Sequence, residues 1–195
     1  MAKVSTWEHD LGDESTLAAM AKSLIDRHPD LACIIHNAGI QHDRQMVDEG
    51  YGFKDIGDEL RVNLAAPMQL THLLLPHLLA RPQARIVNIT SGLAYAPKPS
   101  AAVYAASKAG LSMFSKALRL QLAGSSVQVH EVVLPLVDTP MTAGRGRKKM
   151  LAEQAASLAL DGLQAGQQTV FVGVAQAIPV LQRWMPGLLQ LLMSR

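Results

Sequence analysis

A chain of 195 residues has room for one domain with a substantial core. With 49% apolar and 17% charged residues it reads as globular rather than disordered, and a net charge of +2 is too small to point to nucleic acid. The single cysteine, Cys33, excludes an internal disulfide and fits a reducing compartment. The N-terminus has no apolar run of the secretory type, and no apolar stretch reaches the roughly 20 residues needed to cross a bilayer. The expected location is cytoplasmic.

In chain order, residues 4–7 read as a short strand. Asp13 is the expected N-cap of a helix with Leu17, Met20, Ala21, Leu24 and Ile25 on one face, ended by His28 and Pro29. Residues 31–35 are continuously apolar, as in a strand buried on both faces, and Cys33 within them reads as a small buried hydrophobe. Residues 55–80 read as a long helix bent at Pro67 and Pro76. A strand at 85–90 precedes a loop at 94–100, and a helix at 101–123 carries Leu111, Phe114, Leu118 and Leu122 on one side, with Gly124 as its stop. A strand at 127–134, a long loop at 135–146, a helix at 148–163 and a strand at 169–172 follow. The basic cluster Arg145, Arg147, Lys148 and Lys149 reads as a solvated loop or helix start or, with Met141 and Met150, as a border of the substrate cleft. The apolar tail, 178–195, reads as a substrate-side helix or a subunit contact rather than a lipid anchor.

Strands alternating with helices predict an α/β domain spanning 1–195, with a doubly wound parallel sheet covered on both faces. Ligands in such folds bind beyond the carboxyl ends of the strands. Three polar clusters stand at three successive strand ends: 37–39, 91–92 and 135–139.

Tyr104 and Lys108 lie four residues apart, hence on one helix face. A neighbouring ammonium favours the phenolate, so the tyrosine is expected to titrate lower than usual and to exchange a proton in carbonyl chemistry. A surface contact is the alternative for such a pair. Ser91, closing the preceding strand, either polarises a substrate oxygen or is an ordinary turn residue. Asn63, inside an apolar helical stretch, either satisfies backbone groups or holds a water. No spacing of His, Cys or acidic residues suggests a metal site.

The segments HNAGI (36–40), RVNLAAP (61–67), VNITSG (87–92), YAASK (104–108) and LPLVDTPM (134–141) occur in the order found in the short-chain dehydrogenase/reductase family, which this sequence resembles over nearly its whole length. The start HNAGIQ and the PHLL stretch look most like a bacterial branch with DltE-type oxidoreductases. The resemblance implies a Rossmann-like fold and NAD- or NADP-dependent hydride transfer at a carbonyl or secondary alcohol of a small molecule. Tyr104 would be the acid/base, Lys108 would lower its pKa and bind the nicotinamide ribose, Ser91 would orient the substrate oxygen, and Asn63 would hold a relay water. Asp10 and Leu11 would touch the adenine. Asn37, Ala38 and Gly39 would line the cofactor cleft, and Pro135, Val137 and Thr139 would border the nicotinamide.

The sequence departs from the family in three places. Leu136 stands where glycine is usual, and His36 stands where asparagine is common. No segment matches the glycine-rich turn (TGxxxGxG) that seats the cofactor phosphates, so the resemblance implies a chain lacking the family's first βαβα unit. Loss of that unit would bare the edge of the strand at 31–35 and favour poor stability or a homo-oligomer. The alternative function is accordingly a truncated, cofactor-binding-impaired relative acting as a non-catalytic or oligomer-forming protein.

Overall fold

The computed structural model describes residues 4–146 and 148–194; residues 1–3, Arg147 of the basic cluster and Arg195 of the tail lie outside the described residues. Four strands, β1 (Cys33–His36), β2 (Ala84–Ser91), β3 (Val127–Leu134) and β4 (Thr169–Phe171), form one parallel sheet in that order. Ile86 of β2 pairs with Ile34 on one side and Val129 on the other. Side chains alternate along a strand, so Ile86 and Val87 enter opposite layers. Ile86 joins a core with Leu17, Leu70, Leu74, Leu78 and Leu118. Val87 joins a second core with Val132, Leu163 and Val170. Helices α1 (Glu14–Arg27), α3 (Ala66–Leu79) and α4 (Ala102–Gln121) feed the first core, and α5 (Ala152–Gln164) covers the second. The expected α/β sheet covered on both faces is therefore found.

Local chemistry accounts for the element ends. Asp13 caps α1 by accepting the Ser15 N–H at 3.1 Å, and Glu14 and Arg27 complement the helix dipole. Residues 4–7 do not form the expected strand. A strand needs a hydrogen-bonded neighbour, and this segment instead docks on the end of α1, with the Trp7 ring 5.2 Å from that of His28 and the Arg27 guanidinium 5.5 Å above it. β1 also departs from expectation: Cys33 and Ile35 are exposed, because β1 pairs only with β2 and one of its faces has no helix over it. Partial desolvation against the sheet pushes the Cys33 thiol up from its ordinary pKa, with the Arg85 guanidinium opposing it, so it gains no thiolate character.

The long helix expected at 55–80 is two helices, α2 (Phe53–Leu60) and α3, joined by a π-helical turn at Arg61–Ala65. Pro67 falls in the first turn of α3, so the irregularity precedes the proline instead of being a bend at it. The helix expected from 148 begins only at Ala152. Lys148 has φ 56°, and the Met150 backbone is held to the preceding loop by Met150 N–H donating to Leu136 O at 3.0 Å and Asp138 N–H donating to Met150 O at 2.8 Å. The tail forms α6 (Ile178–Trp184) and α7 (Pro186–Met193). Ile178 and Leu189 are buried with Ala96 and Val133, and Met193 packs beside them. No described helix is long and apolar enough to cross a membrane.

Between the sheet and α4 lies a polar cluster. Glu131 of β3 is fully buried, and its Oε1 accepts from Thr90 Oγ1 at 2.8 Å and from the Tyr95 hydroxyl at 3.2 Å. Its Oε2, and Oδ1 of Asn88 in register on β2, have no donor among the described residues. Two buried acceptors facing a shortage of donors are costly. Glu131→Gln keeps one acceptor and supplies an N–H, and is expected to raise stability by about 1–3 kcal/mol. Thermal unfolding checks this; an unchanged Tm would mean that a donor, such as a trapped water, already serves both oxygens.

Candidate active site

Because the strands are parallel, the residues following His36, Ser91 and Leu134 open on the same edge of the sheet. The helix α4 starts beside that edge and presents Tyr104 and, one turn on, Lys108. The Ser91 hydroxyl accepts the Leu93 N–H at 3.2 Å and stands near enough to the Tyr104 phenol to favour its phenolate. The Lys108 ammonium lies 5.8 Å from the centroid of the Tyr104 ring and donates to the Ile89 carbonyl at 2.9 Å. Ser91, Tyr104 and Lys108 are thus brought together.

The electrostatics differ from the sequence expectation. Lys108 is only 4% exposed, and burial lowers its pKa to about 8. Tyr104 was expected to titrate low, yet its pKa is raised. Burial is the largest cause, the Ser91 hydrogen bond opposes it, the Glu59 carboxylate adds to it and the Arg145 guanidinium opposes it. The physical reason is burial, which penalises the phenolate more than its favourable neighbours help it, while the Lys108 ammonium stands over the ring face.

Asn63 is fully buried in the π-turn. Its Oδ1 accepts the Ile40 N–H at 2.8 Å, and its Nδ2 donates to Ile40 O at 2.9 Å and Ser107 Oγ at 3.2 Å. The side chain therefore satisfies backbone groups and pins the loop after β1. The Asn63 carbonyl is a separate matter, since Pro67 has no N–H to place against it as a regular α-helix would. Gly39 passes so close to this point that a Cβ there would lie 3.1 Å from Asn63 Oδ1 and 3.5 Å from Lys108 Nζ, so only glycine lets the backbone through unhindered. A similar approach holds at Gly92, where a Cβ would meet Met193 Cε at 3.1 Å and Ile178 Cδ1 at 3.2 Å. The tail helices thus dock next to Ser91, as a substrate-side element would.

Of the other expected residues, Leu11, Asn37 and Ala38 line one largely apolar groove of about 220 Å³ beside β1. Asp10 is not drawn into it; its carboxylate turns back to accept the Gly12 N–H at 2.8 Å. Pro135 follows the end of β3, and Thr139 heads a short turn in which Thr142 Oγ1 accepts the Thr139 N–H at 3.1 Å. Val137 is buried in the second core, so only its backbone can border the cleft. His36 is buried, its Nε2 is 2.9 Å from Thr71 Oγ1, and burial lowers its pKa to about 4, so it is a neutral tie between β1 and α3.

Two residues near the site, Ser107 and Glu59, escaped the sequence reading, and a third, Arg145, was seen there only as one of a basic cluster. Ser107 Oγ links Asn63 to the Tyr104 carbonyl, donating to the latter at 2.8 Å. Glu59 is buried and accepts the His42 N–H at 2.7 Å. Arg145 reaches across to the Gln41 carbonyl, at 3.2 Å from Nη2. Its neighbour Lys149 donates to Thr142 O at 2.6 Å, so these two members of the basic cluster are held by the protein rather than solvated. A buried acid on an otherwise polar helix turn carries no local signal, and Arg145 was obscured by the adjacent basic residues.

The family described as short chain dehydrogenase matches residues 1–150. The chain is 36% identical over 179 residues to the uncharacterized oxidoreductase DltE of Bacillus subtilis, covering 87% of this chain and 70% of that relative. Its structure is similar to a short-chain dehydrogenase from Burkholderia cenocepacia solved in complex with NADP, with TM-score 0.84, 26% identity, and coverage of 95% of this chain and 76% of the other. It also has the fold of a short-chain dehydrogenase from Sphingobium yanoikuyae in complex with NADPH, with TM-score 0.77, 24% identity, and coverage of 92% and 72%.

Proposed function

The chain belongs to the short-chain dehydrogenase family, and from that premise we propose that it is an oxidoreductase exchanging a hydride between NAD or NADP and the carbonyl or secondary-alcohol carbon of a small molecule. The observation that carries this reading is the placement of the Ser91 hydroxyl near the Tyr104 phenol, with the buried Lys108 one helix turn away, at the carboxyl edge of a parallel sheet.

The bound nicotinamide supplies or accepts the hydride. In the reducing direction Ser91 donates a hydrogen bond to the substrate oxygen, stabilising negative charge as it develops there. Tyr104 gives that oxygen its proton, and its raised pKa keeps it protonated and ready to do so. The Lys108 cation stabilises the phenolate left behind. The proton returns through water, for which we assign the Asn63 carbonyl and the Lys108 ammonium as holders. In the oxidising direction each transfer reverses.

For the cofactor itself, two of the three Lys108 N–H bonds remain beyond the one given to Ile89, one for the relay water and one that suits a ribose hydroxyl. Asn37, Ala38 and Gly39 are assigned to the cleft wall, Leu11 and the Asp10 backbone to the adenine side, and Pro135, the Val137 backbone and Thr139 to the nicotinamide. Gly39, where a Cβ would crowd Lys108, supports this fit. Among the described residues no glycine-rich turn opens a helix to hold the phosphates, so the fit is to the two ends of the dinucleotide.

The test is titration of the purified chain with NADH and NADPH, followed by nicotinamide fluorescence, alongside reduction of a panel of ketones and aldehydes. Saturable micromolar binding of one nucleotide with carbonyl turnover is expected. Absence of both would overturn the proposal in favour of a non-catalytic role.

A further inference from the structure

Three loops meet over the edge that carries Tyr104, and one carboxylate ties them. Asp43 follows β1 and has φ 54°, a left-handed conformation that few residues other than glycine adopt. Its Oδ1 accepts from Lys98 Nζ at 2.9 Å and from Ser100 Oγ at 2.8 Å, both in the loop that follows Ser91. Its Oδ2 lies 3.6 Å from Nε of Arg145, which belongs to the loop after β3. Two cations thus share one carboxylate. Arg145 spends Nη2 on the Gln41 carbonyl, while Nη1 is buried and has no hydrogen-bond acceptor among the described residues. Gln41 is next to Ile40, whose backbone Asn63 grips from both sides, so the guanidinium is anchored beside the proposed reaction centre.

We propose that Arg145 is a specificity-determining residue that receives a carboxylate carried by the substrate at a distance from the reacting carbonyl. This rests on the oxidoreductase reading above. With Nε and Nη2 engaged, Nη1 is the guanidinium nitrogen left to receive a charged acceptor, and a buried N–H group without one is costly until it arrives. The charge balance selects a single negative charge. Asp43 already answers one of the two cations, leaving one positive charge, and the Glu59 carboxylate near Tyr104 would disfavour a dianion such as a phosphate monoester. Lys149 does not compete for the ligand, being bound to Thr142 O and lying 3.3 Å from Asp138 Oδ1.

The experiment compares straight-chain oxo-carboxylates of increasing length with their methyl esters. Binding is read from the Arg145 Nε–H NMR resonance of the full chain, and from KM where turnover is measurable. The best oxo-carboxylate is expected to bind at least about tenfold tighter than its ester, a factor equivalent to one well-placed charged contact. Arg145→Met is expected to erase the preference. Lys98→Met removes the same charge from the same cluster and is expected to keep it, and unchanged thermal unfolding establishes that both variants are folded. Equal binding of acid and ester, no binding of either at millimolar concentration, or a preference surviving Arg145→Met would overturn the proposal. Turnover of neutral ketones without an acid preference would sink this inference and leave the oxidoreductase reading standing. An acid preference in a chain that neither binds nicotinamide nor turns over would do the reverse.

Discussion

Tyr104→Phe is expected to lower kcat for carbonyl reduction by about 100- to 10,000-fold, the usual worth of a positioned acid/base. The substitution is well suited to the question because it removes one atom. The ring still packs over Lys108, 5.8 Å from the ammonium, so the cation–π contact and the fold are kept. What is lost is the hydroxyl that stands near Ser91. Nucleotide affinity should therefore change less than twofold while turnover collapses, a split that a merely structural role for Tyr104 would not produce. The pH profile of the unaltered chain follows from the same geometry. The raised pKa of Tyr104 keeps the acid form through neutral pH, and the first group near the site to change charge on going alkaline is Lys108, at about pH 8. Reduction should be flat below that point and fall above it. A Phe variant retaining a tenth or more of kcat would defeat the role given to Tyr104.

What was legible in the sequence follows from how local each signal is. The strand at Val127–Leu134 was read to the residue because a β-branched run lies between Gly124 and Pro135. The start of α1 was marked by Asp13, whose capping bond involves a residue two positions away. The three strand-end clusters needed only the inference that the sheet is parallel. The failures share one cause, dependence on distant partners. Residues 4–7 have the composition of a strand but no neighbour to pair with. Cys33 and Ile35 are apolar yet exposed because β1 lies at an edge. The π-turn at Arg61–Ala65 centres on Asn63, which is held by Ile40 across 23 positions of sequence, so Pro67 alone could only suggest a bend in the wrong place. The direction of the Tyr104 shift was missed because sequence spacing reveals that a cation is near but not that the phenol is buried or which part of it the cation faces. Arg145 was seen as one of four basic residues; only its reach to Gln41, 104 positions earlier, separates it from its neighbours.

Lys108→Met is expected to make the protein more stable and a worse catalyst at once. The ammonium is almost fully covered, and its pKa falls from the ordinary 10.5 to about 8. A group whose pKa is lower in the folded state is one that the unfolded chain protonates more readily, so stability rises with pH across the window from about 8 to 10.5. Below that window the folded protein carries the whole penalty of burying a charge, about 3 kcal/mol at roughly 1.4 kcal/mol per pH unit. Methionine fills similar space without charge. It forfeits the hydrogen bond to the Ile89 carbonyl, worth about 1 kcal/mol, which leaves a net gain of about 2 kcal/mol at pH 7. For a chain of this size that is a Tm increase of about 4–8 °C. The gain should shrink as pH rises through that window and be gone at about pH 10, where the remaining penalty equals the lost hydrogen bond. Over the same substitution kcat is expected to fall about 100-fold or more, since the phenolate formed at Tyr104 loses its nearby cation and the ribose contact proposed for the ammonium is lost. A buried charge that costs stability and whose one hydrogen-bond acceptor among the described residues is a backbone carbonyl is hard to explain as structure; it is readily explained as a group kept for the reaction. A Met variant that is less stable at pH 7, or whose stability difference does not move between pH 7 and 10, would show that Lys108 is held there for packing instead.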